Sequence, residues 1–164
     1  MLIGIIANIT KENVFKVVSS FISKLKKNKL DYILTKSLSE DKDKLKIELF
    51  DDFVTDDKEV YEKADLIISI GGDGTMLATA FNAQFYDKPV LGVNLGKLGF
   101  LVEANIDQMD KIIKEIKDGK YSIEERMVIS AEAMGHEKEK LYAINDIVID
   151  KGGWPKMIDI TIRV

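Results

Sequence analysis

The 164 residues carry 46% apolar and 32% charged side chains and a net charge of −4. That is the composition of a globular chain long enough to bury a core, as one domain or one and a half, and its mild acidity argues against general nucleic-acid affinity. With no cysteine, disulfides, thiolate nucleophiles and Cys-ligated metals are excluded, and His136, the single histidine, is all that a Ser-His triad or a multi-His zinc site would have to draw on. No apolar run approaches a membrane span. Residues 2–7 are too short, and lack the basic lead, for a signal-peptide core, so the expected location is the cytoplasm.

In chain order, Leu2 to Ala7 reads as a short buried strand. A helix is expected from about Lys11, with Val14, Val18, Phe21, Ile22 and Leu25 on one face at helical spacing. Asp31 to Thr35 reads as a second strand. Residues 36–63 are charged and ambiguous: Leu45, Ile47 and Leu49 alternate as in a strand, in a Lys/Asp-dense setting that equally suits a mobile segment. Glu59 to Lys63 reads as a short helix.

Leu66 to Ile70 is almost wholly apolar and β-branched, as in a parallel strand covered on both faces. It runs into Gly71-Gly72-Asp73-Gly74, where three residues without Cβ permit positive φ and close approach to the backbone. Thr75 onward suits a helix whose free N–H groups favour anions. Pro89 to Asn94 is another buried strand, followed by Leu95-Gly96-Lys97-Leu98-Gly99-Phe100-Leu101. Gly96 and Gly99 beside Lys97 could line the same ligand, because strand ends in such a sheet share one edge; Lys97 in solvent is the bland alternative. A helix is expected over 107–118, N-capped by Asp107 and C-capped by Gly119.

Beyond Gly119 the pattern changes. Residues 121–134, 141–150 and 157–164 read as strands, with turns at Gly135-His136 and Gly152-Gly153. The expected class is therefore α/β. An open, mainly parallel sheet fills residues 1–104, a connecting helix 105–120, and the first strands of an antiparallel β domain 121–164. The apolar face of Ile158, Ile160, Ile162 and Val164 has nothing to cover it, which suggests a second domain cut off soon after it begins.

Asp73 is the residue that a phosphate cradle does not explain. It could cap the helix through the N–H groups near Thr75. Alternatively, it could accept a proton from an attacking hydroxyl or partner Mg²⁺. The surrounding glycines favour the second reading, since an ordinary cap does not need them. The spacing is neither that of a P-loop nor G-x-G-x-x-G. Asn145-Asp146, set among Ala143-Ile144 and Ile147-Val148-Ile149, is either a structural hydrogen-bonding pair in a buried strand or a holder of sugar hydroxyls.

Gly71-Gly72-Asp73-Gly74-Thr75 resembles the GGDGT motif of NAD kinases, diacylglycerol and sphingosine kinases and, more distantly, 6-phosphofructokinases. Gly92-Val93-Asn94-Leu95-Gly96-Lys97-Leu98-Gly99-Phe100-Leu101 narrows the resemblance to NAD kinases, as do Glu125-Arg126-Met127 and Asn145-Asp146. The resemblance implies transfer of a phosphoryl group from ATP, or polyphosphate, to the 2′-hydroxyl of NAD's adenosine ribose, with Mg²⁺ accompanying ATP. Asp73 would accept the hydroxyl proton. Gly74 and Leu77 would lie against the nucleotide, Gly72 and Thr75 would help form the phosphate loop, Phe100 would border the adenine side of the NAD site, and Asn145 and Asp146 would hold NAD ribose or phosphate groups. The family's D-G-x-x-x-S-T-P-T-G-S-T-A-Y segment is absent, so the chain resembles an N-terminal portion of such an enzyme. Full-length members are expected to be homo-oligomers, dimers or tetramers, whose partners are small-molecule nucleotides rather than nucleic acid or membrane. The rival readings are a non-catalytic nucleotide-binding fragment and a lipid kinase; the latter lacks support from any basic amphipathic surface.

Overall fold

The computed structural model describes residues 1–40, 42–45, 54–96, 99–102, 104–135, 140–150, 152–153, 157 and 159–163. They form two compact units, Met1–Glu125 and Arg126–Val164. In the first unit, strands β1 (Leu2–Ala7), β2 (Asp31–Thr35), β3 (Val54–Thr55), β4 (Leu66–Gly71), β5 (Val90–Asn94) and β6 (Ala104–Asn105) make one parallel sheet. Their order is β3-β2-β1-β4-β5-β6. The order reverses between β1 and β4, and in doubly wound sheets ligands settle at the carboxyl edge of such a reversal.

The sheet is covered on both sides because its strands are apolar on both faces. On one side Ile3, Ile5, Leu34, Ile68, Ile70 and Val93 pack against α1 (Val14–Lys27) and α6 (Met109–Lys117). The α1 residues expected at the interface, Val14, Val18, Phe21, Ile22 and Leu25, are all fully buried. On the other side Ile67 packs with Tyr61 of α4 (Asp57–Lys63), Ala64 just beyond it, and Ala83 of α5 (Asp73–Ala83). Gly4 makes that second layer possible. A Cβ there would lie 2.8 Å from Val60 Cγ1 and 2.9 Å from Ala64 Cβ, so only glycine lets α4 sit this close to β1. Two further short helices, α2 (Lys36–Ser39) and α3 (Lys42–Leu45), follow β2.

Several boundaries differ from those read in the sequence. The first helix starts at Val14 rather than Lys11, because Asn13 adopts a left-handed φ of 62° that breaks the helical path. Leu45 ends a helix and is buried, rather than beginning a strand; Ile47 and Leu49 lie outside the described residues. The short helix begins at Asp57, two residues before Glu59, since the Asp56 carboxylate accepts the Glu59 N–H at 2.8 Å and caps it. The cap before α6 is Asn105, not Asp107. Asn105 and Gln108 form a reciprocal capping box over a 3-10 turn, Ile106–Gln108. Asp118 is the C-cap, and Gly119 follows it at φ 65°, where Lys120 N–H reaches Glu115 O and Gly119 N–H reaches Ile116 O, a Schellman closure.

In the second unit, β7 (Ile129–Glu132) and β8 (Lys140–Ala143) pair antiparallel, Ile129 opposite Ala143 and Glu132 opposite Lys140. The longer strands expected over 121–134 and 141–150 shrink to these segments, and the described residues of 157–164 form none. A strand is defined by its neighbour. Alternation marks which face a strand would bury, but Ile160 and Ile162 find no ladder partner among the described residues and remain exposed. Ile158, Val164 and His136 lie outside the described residues. Among those described, no helix is long and apolar enough to cross a membrane.

Candidate active site

Three strand ends meet at the carboxyl edge of the sheet. Asn8, just after β1, donates its N–H to Ile70 O at 3.1 Å, and Leu95, just after β5, donates to Gly71 O at 2.9 Å. The turn leaving β4 is therefore held from both sides. Buried Asn94 turns the chain after β5, its Oδ1 accepting the Gly96 N–H at 2.8 Å.

Helix α5 starts at Asp73, two residues before the expected Thr75, with Gly72 in extended backbone as N-cap. Its first N–H groups have no carbonyl within the helix and point out of its N-terminus, which favours negative charge there. None of Gly71, Gly72 and Gly74 adopts positive φ, so their lack of a Cβ serves contact and space instead. A Cβ on Gly71 would lie 2.3 Å from Thr75 Oγ1 and 2.6 Å from Thr75 Cβ, so this glycine lets the first turn of α5 fold back against the strand end. At Gly72 and Gly74 a Cβ would meet nothing within 4 Å. Those two bare positions flank Asp73 and border open space, a cradle that a ligand can approach to backbone distance.

The Asp73 side chain does not cap its helix. It reaches to residues 100–102, which lie after β5. Its Oδ2 accepts the Phe100 N–H at 2.8 Å, and its Oδ1 accepts those of Leu101 and Val102, each at 3.2 Å. The Phe100 N–H is the largest influence holding the carboxyl below the usual aspartate range. The Leu101 and Val102 N–H groups act in the same direction, and partial desolvation opposes them. Asp73 is therefore an ionised, oriented carboxylate.

The elements around this carboxylate are fixed by buried contacts. Ser69 of β4 and Thr79 of α5 share a buried hydroxyl–hydroxyl bond of 2.9 Å, and Thr79 Oγ1 also lies 2.8 Å from Thr75 O. Val102 is buried, and a Cβ on Gly92 would lie 3.0–3.1 Å from its methyls and 3.2 Å from Met76 Sδ. The 100–102 segment is thus seated on β5 where β5 carries no side chain.

The structure brings Gly72, Asp73, Gly74, Thr75 and Leu77 together on one turn and the helix behind it, and adds Phe100 through its backbone. The Phe100 ring itself is 99% exposed. Asn145 and Asp146 are in the second unit, just past β8, and both are exposed. They do not lie in the expected buried strand, because pairing ends at Ala143 and the flanking Val148 and Ile149 are also exposed. Lys97 lies outside the described residues. Ser69 and Gly99 take parts that the sequence reading did not give them. A serine inside Ile67-Ile68-Ser69-Ile70 was a readable signal, because a hydroxyl in a buried strand needs a partner.

Residues 3–121 match the family model described as the ATP-NAD kinase N-terminal domain. The NAD kinase of Natranaerobius thermophilus is 35% identical over 164 residues, covering 99% of this chain and 55% of that protein. The NAD kinase of Heliobacterium modesticaldum is 44% identical over 102 residues, covering 61% of this chain and 36% of that protein. Among solved structures, yeast NADH kinase complexed with NADH superposes with a TM-score of 0.69 at 16% identity, over 87% of this chain and 46% of that one. That low identity speaks for the fold alone. The chain spans about half the length of the curated relatives it matches.

Proposed function

Because the chain belongs to the NAD kinase family, we propose that it supplies the phosphate cradle and the proton-accepting carboxylate for making NADP from NAD. One observation carries this reading: an ionised Asp73 stands at the N-terminus of an 11-residue helix, between two bare glycines that border open space.

In the step so assigned, the 2′-hydroxyl of NAD's adenosine ribose attacks the terminal phosphorus of ATP, or of polyphosphate. The new oxygen–phosphorus bond forms as the bond to the leaving phosphate breaks, its electron pair staying on ADP or the shortened polyphosphate. The hydroxyl proton passes to Asp73. Transition states of this kind are loose and ask little base strength, so a carboxylate held below its usual range serves chiefly to aim the hydroxyl. The N–H groups of Gly74 and Thr75 would donate to phosphate oxygens, with Leu77 beside the nucleotide, Phe100 at the adenine side of NAD, and Asn145 and Asp146 on ribose or phosphate. Mg²⁺, entering with ATP, would neutralise phosphate charge. The domain assignment proposed with this reading is an α/β part over 1–104, a connecting helix over 105–120 and a β part over 121–164. A cytoplasmic homo-oligomer is the proposed setting.

The test is NADP formation from NAD, ATP and Mg²⁺, by this chain and by a version extended to the length of its relatives. NADP made by the extended protein supports the reading. Nucleotide binding without NADP would make it a binding module, and phosphorylation of diacylglycerol instead would make it a lipid kinase.

A further inference from the structure

We propose that the segment from Gly99 to Val102 is the positioning element for Asp73: its backbone N–H groups fix the carboxylate, and Gly99 is glycine because any side chain there would displace it. This rests on the assignment of Asp73 as proton acceptor and adds the group that aims it.

The geometry is specific. An ionised carboxylate offers about four lone-pair sites, two on each oxygen. Oδ1 takes two N–H groups, from Leu101 and Val102, and is filled; Oδ2 takes one, from Phe100. Oδ2 therefore keeps a site for an incoming hydroxyl, and it is the oxygen that receives the proton when the O–H bond breaks. A Cβ on Gly99 would lie 2.2 Å from Asp73 Oδ1 and 2.3 Å from both Cγ and Oδ2. A methyl at position 99 has no torsion of its own that avoids this, so either the segment moves away or the Asp73 carboxylate rotates about its own Cα–Cβ bond and leaves the N–H groups that hold it. Ordinary contact begins near 3.4 Å, which requires a displacement of about 1 Å, and misplacement on that scale can cost on the order of 10²-fold in rate.

The anchor of the segment is independent of Asp73. Val102 is buried over Gly92, so two glycines of one stretch serve one purpose: Gly92 seats the segment and Gly99 lets it close on the carboxylate. The exposed ring of Phe100 shows that the segment is not held there by packing of its aromatic residue.

Two readouts test this. In the chain itself, the amide shifts of Phe100, Leu101 and Val102 are followed against pH. They should titrate together with a midpoint below the usual aspartate range, lose that titration in Asp73→Asn, and shift to a higher midpoint in Gly99→Ala. In the NADP-forming protein, Gly99→Ala should lower kcat by about 10²-fold while the KM for ATP stays near wild type. Amides that do not report Asp73, or a Gly99→Ala enzyme with normal kcat, overturn the proposal and leave the assignment of function standing. A wild-type protein that makes no NADP overturns both. If Gly99→Ala melts at a much lower temperature, the wild-type and Asp73→Asn titrations still decide whether the segment holds the carboxylate.

Discussion

The cradle assigns opposite outcomes to alanine at two neighbouring glycines. Gly74 is the second residue of α5, and a methyl there meets no protein atom within 4 Å. Replacing glycine by alanine at a helical position gains up to about 1 kcal/mol, less near the helix end, so Gly74→Ala should stabilise the fold by roughly 0.5 kcal/mol. That corresponds to a melting temperature higher by about 1–2 °C. The same methyl occupies the space where a phosphate would meet the backbone. Losing one charge-assisted N–H bond costs about 1.5–3 kcal/mol, which weakens ATP binding by roughly 10- to 100-fold. Gly71→Ala is the contrast: its methyl would meet Thr75 Cβ at 2.6 Å, an atom fixed to the backbone, at a cost of about 1–3 kcal/mol. Urea unfolding gives the stabilities and titration calorimetry with Mg-ATP gives the affinities. A Gly74→Ala protein that binds ATP as wild type does would refute the cradle. One that loses more than about 1 kcal/mol of stability would show that the space is not open.

Removing the Ser69 hydroxyl in Ser69→Ala should cost about 1 kcal/mol and no more, because Thr79 keeps its bond to Thr75 O; urea unfolding measures it. The Asp73 carboxyl is lowered in the folded state by the Phe100, Leu101 and Val102 N–H groups. Its stabilisation is therefore complete above the usual aspartate range and is lost as pH falls through the lower folded value. Unfolding of wild type and Asp73→Asn across acid pH should show a stability difference that is constant from neutrality to that range and shrinks only below it. Gly92→Ala should cost about 1 kcal/mol by crowding Val102, and hydrogen exchange at the Leu101 and Val102 amides should quicken. The exposed Lys24–Asp110 pair should contribute under about 0.5 kcal/mol, so Lys24→Ala leaves the urea midpoint near wild type.

Much of the first unit was legible because it is built from local patterns. The helical spacing of Val14 to Leu25 and the apolar runs of β1, β2, β4 and β5 each state their own burial. The glycines of the 71–74 turn announced a site, but not the reason for each glycine. Positive φ was the natural expectation, yet these residues answer to neighbours: Gly71 to Thr75, Gly4 to α4, Gly99 to Asp73. Such reasons are invisible until the chain folds. The partner of Asp73 was hidden similarly, since its donors are backbone N–H groups 27–29 residues downstream, and a backbone donor leaves no trace in residue identity. Past Gly119 the alternation of Ile160 and Ile162 was real, but a ladder also needs a partner, and alternation cannot supply one.

The central claim is that Asp73 receives the proton of the hydroxyl being phosphorylated, and the most direct measurement is the turnover of Asp73→Asn. In a protein of the relatives' full length that converts NAD, ATP and Mg²⁺ to NADP, this substitution should lower kcat by about 10²–10⁴-fold while NAD still binds. Near-normal turnover would contradict the account and reduce Asp73 to a tie between the turn after β4 and the segment after β5.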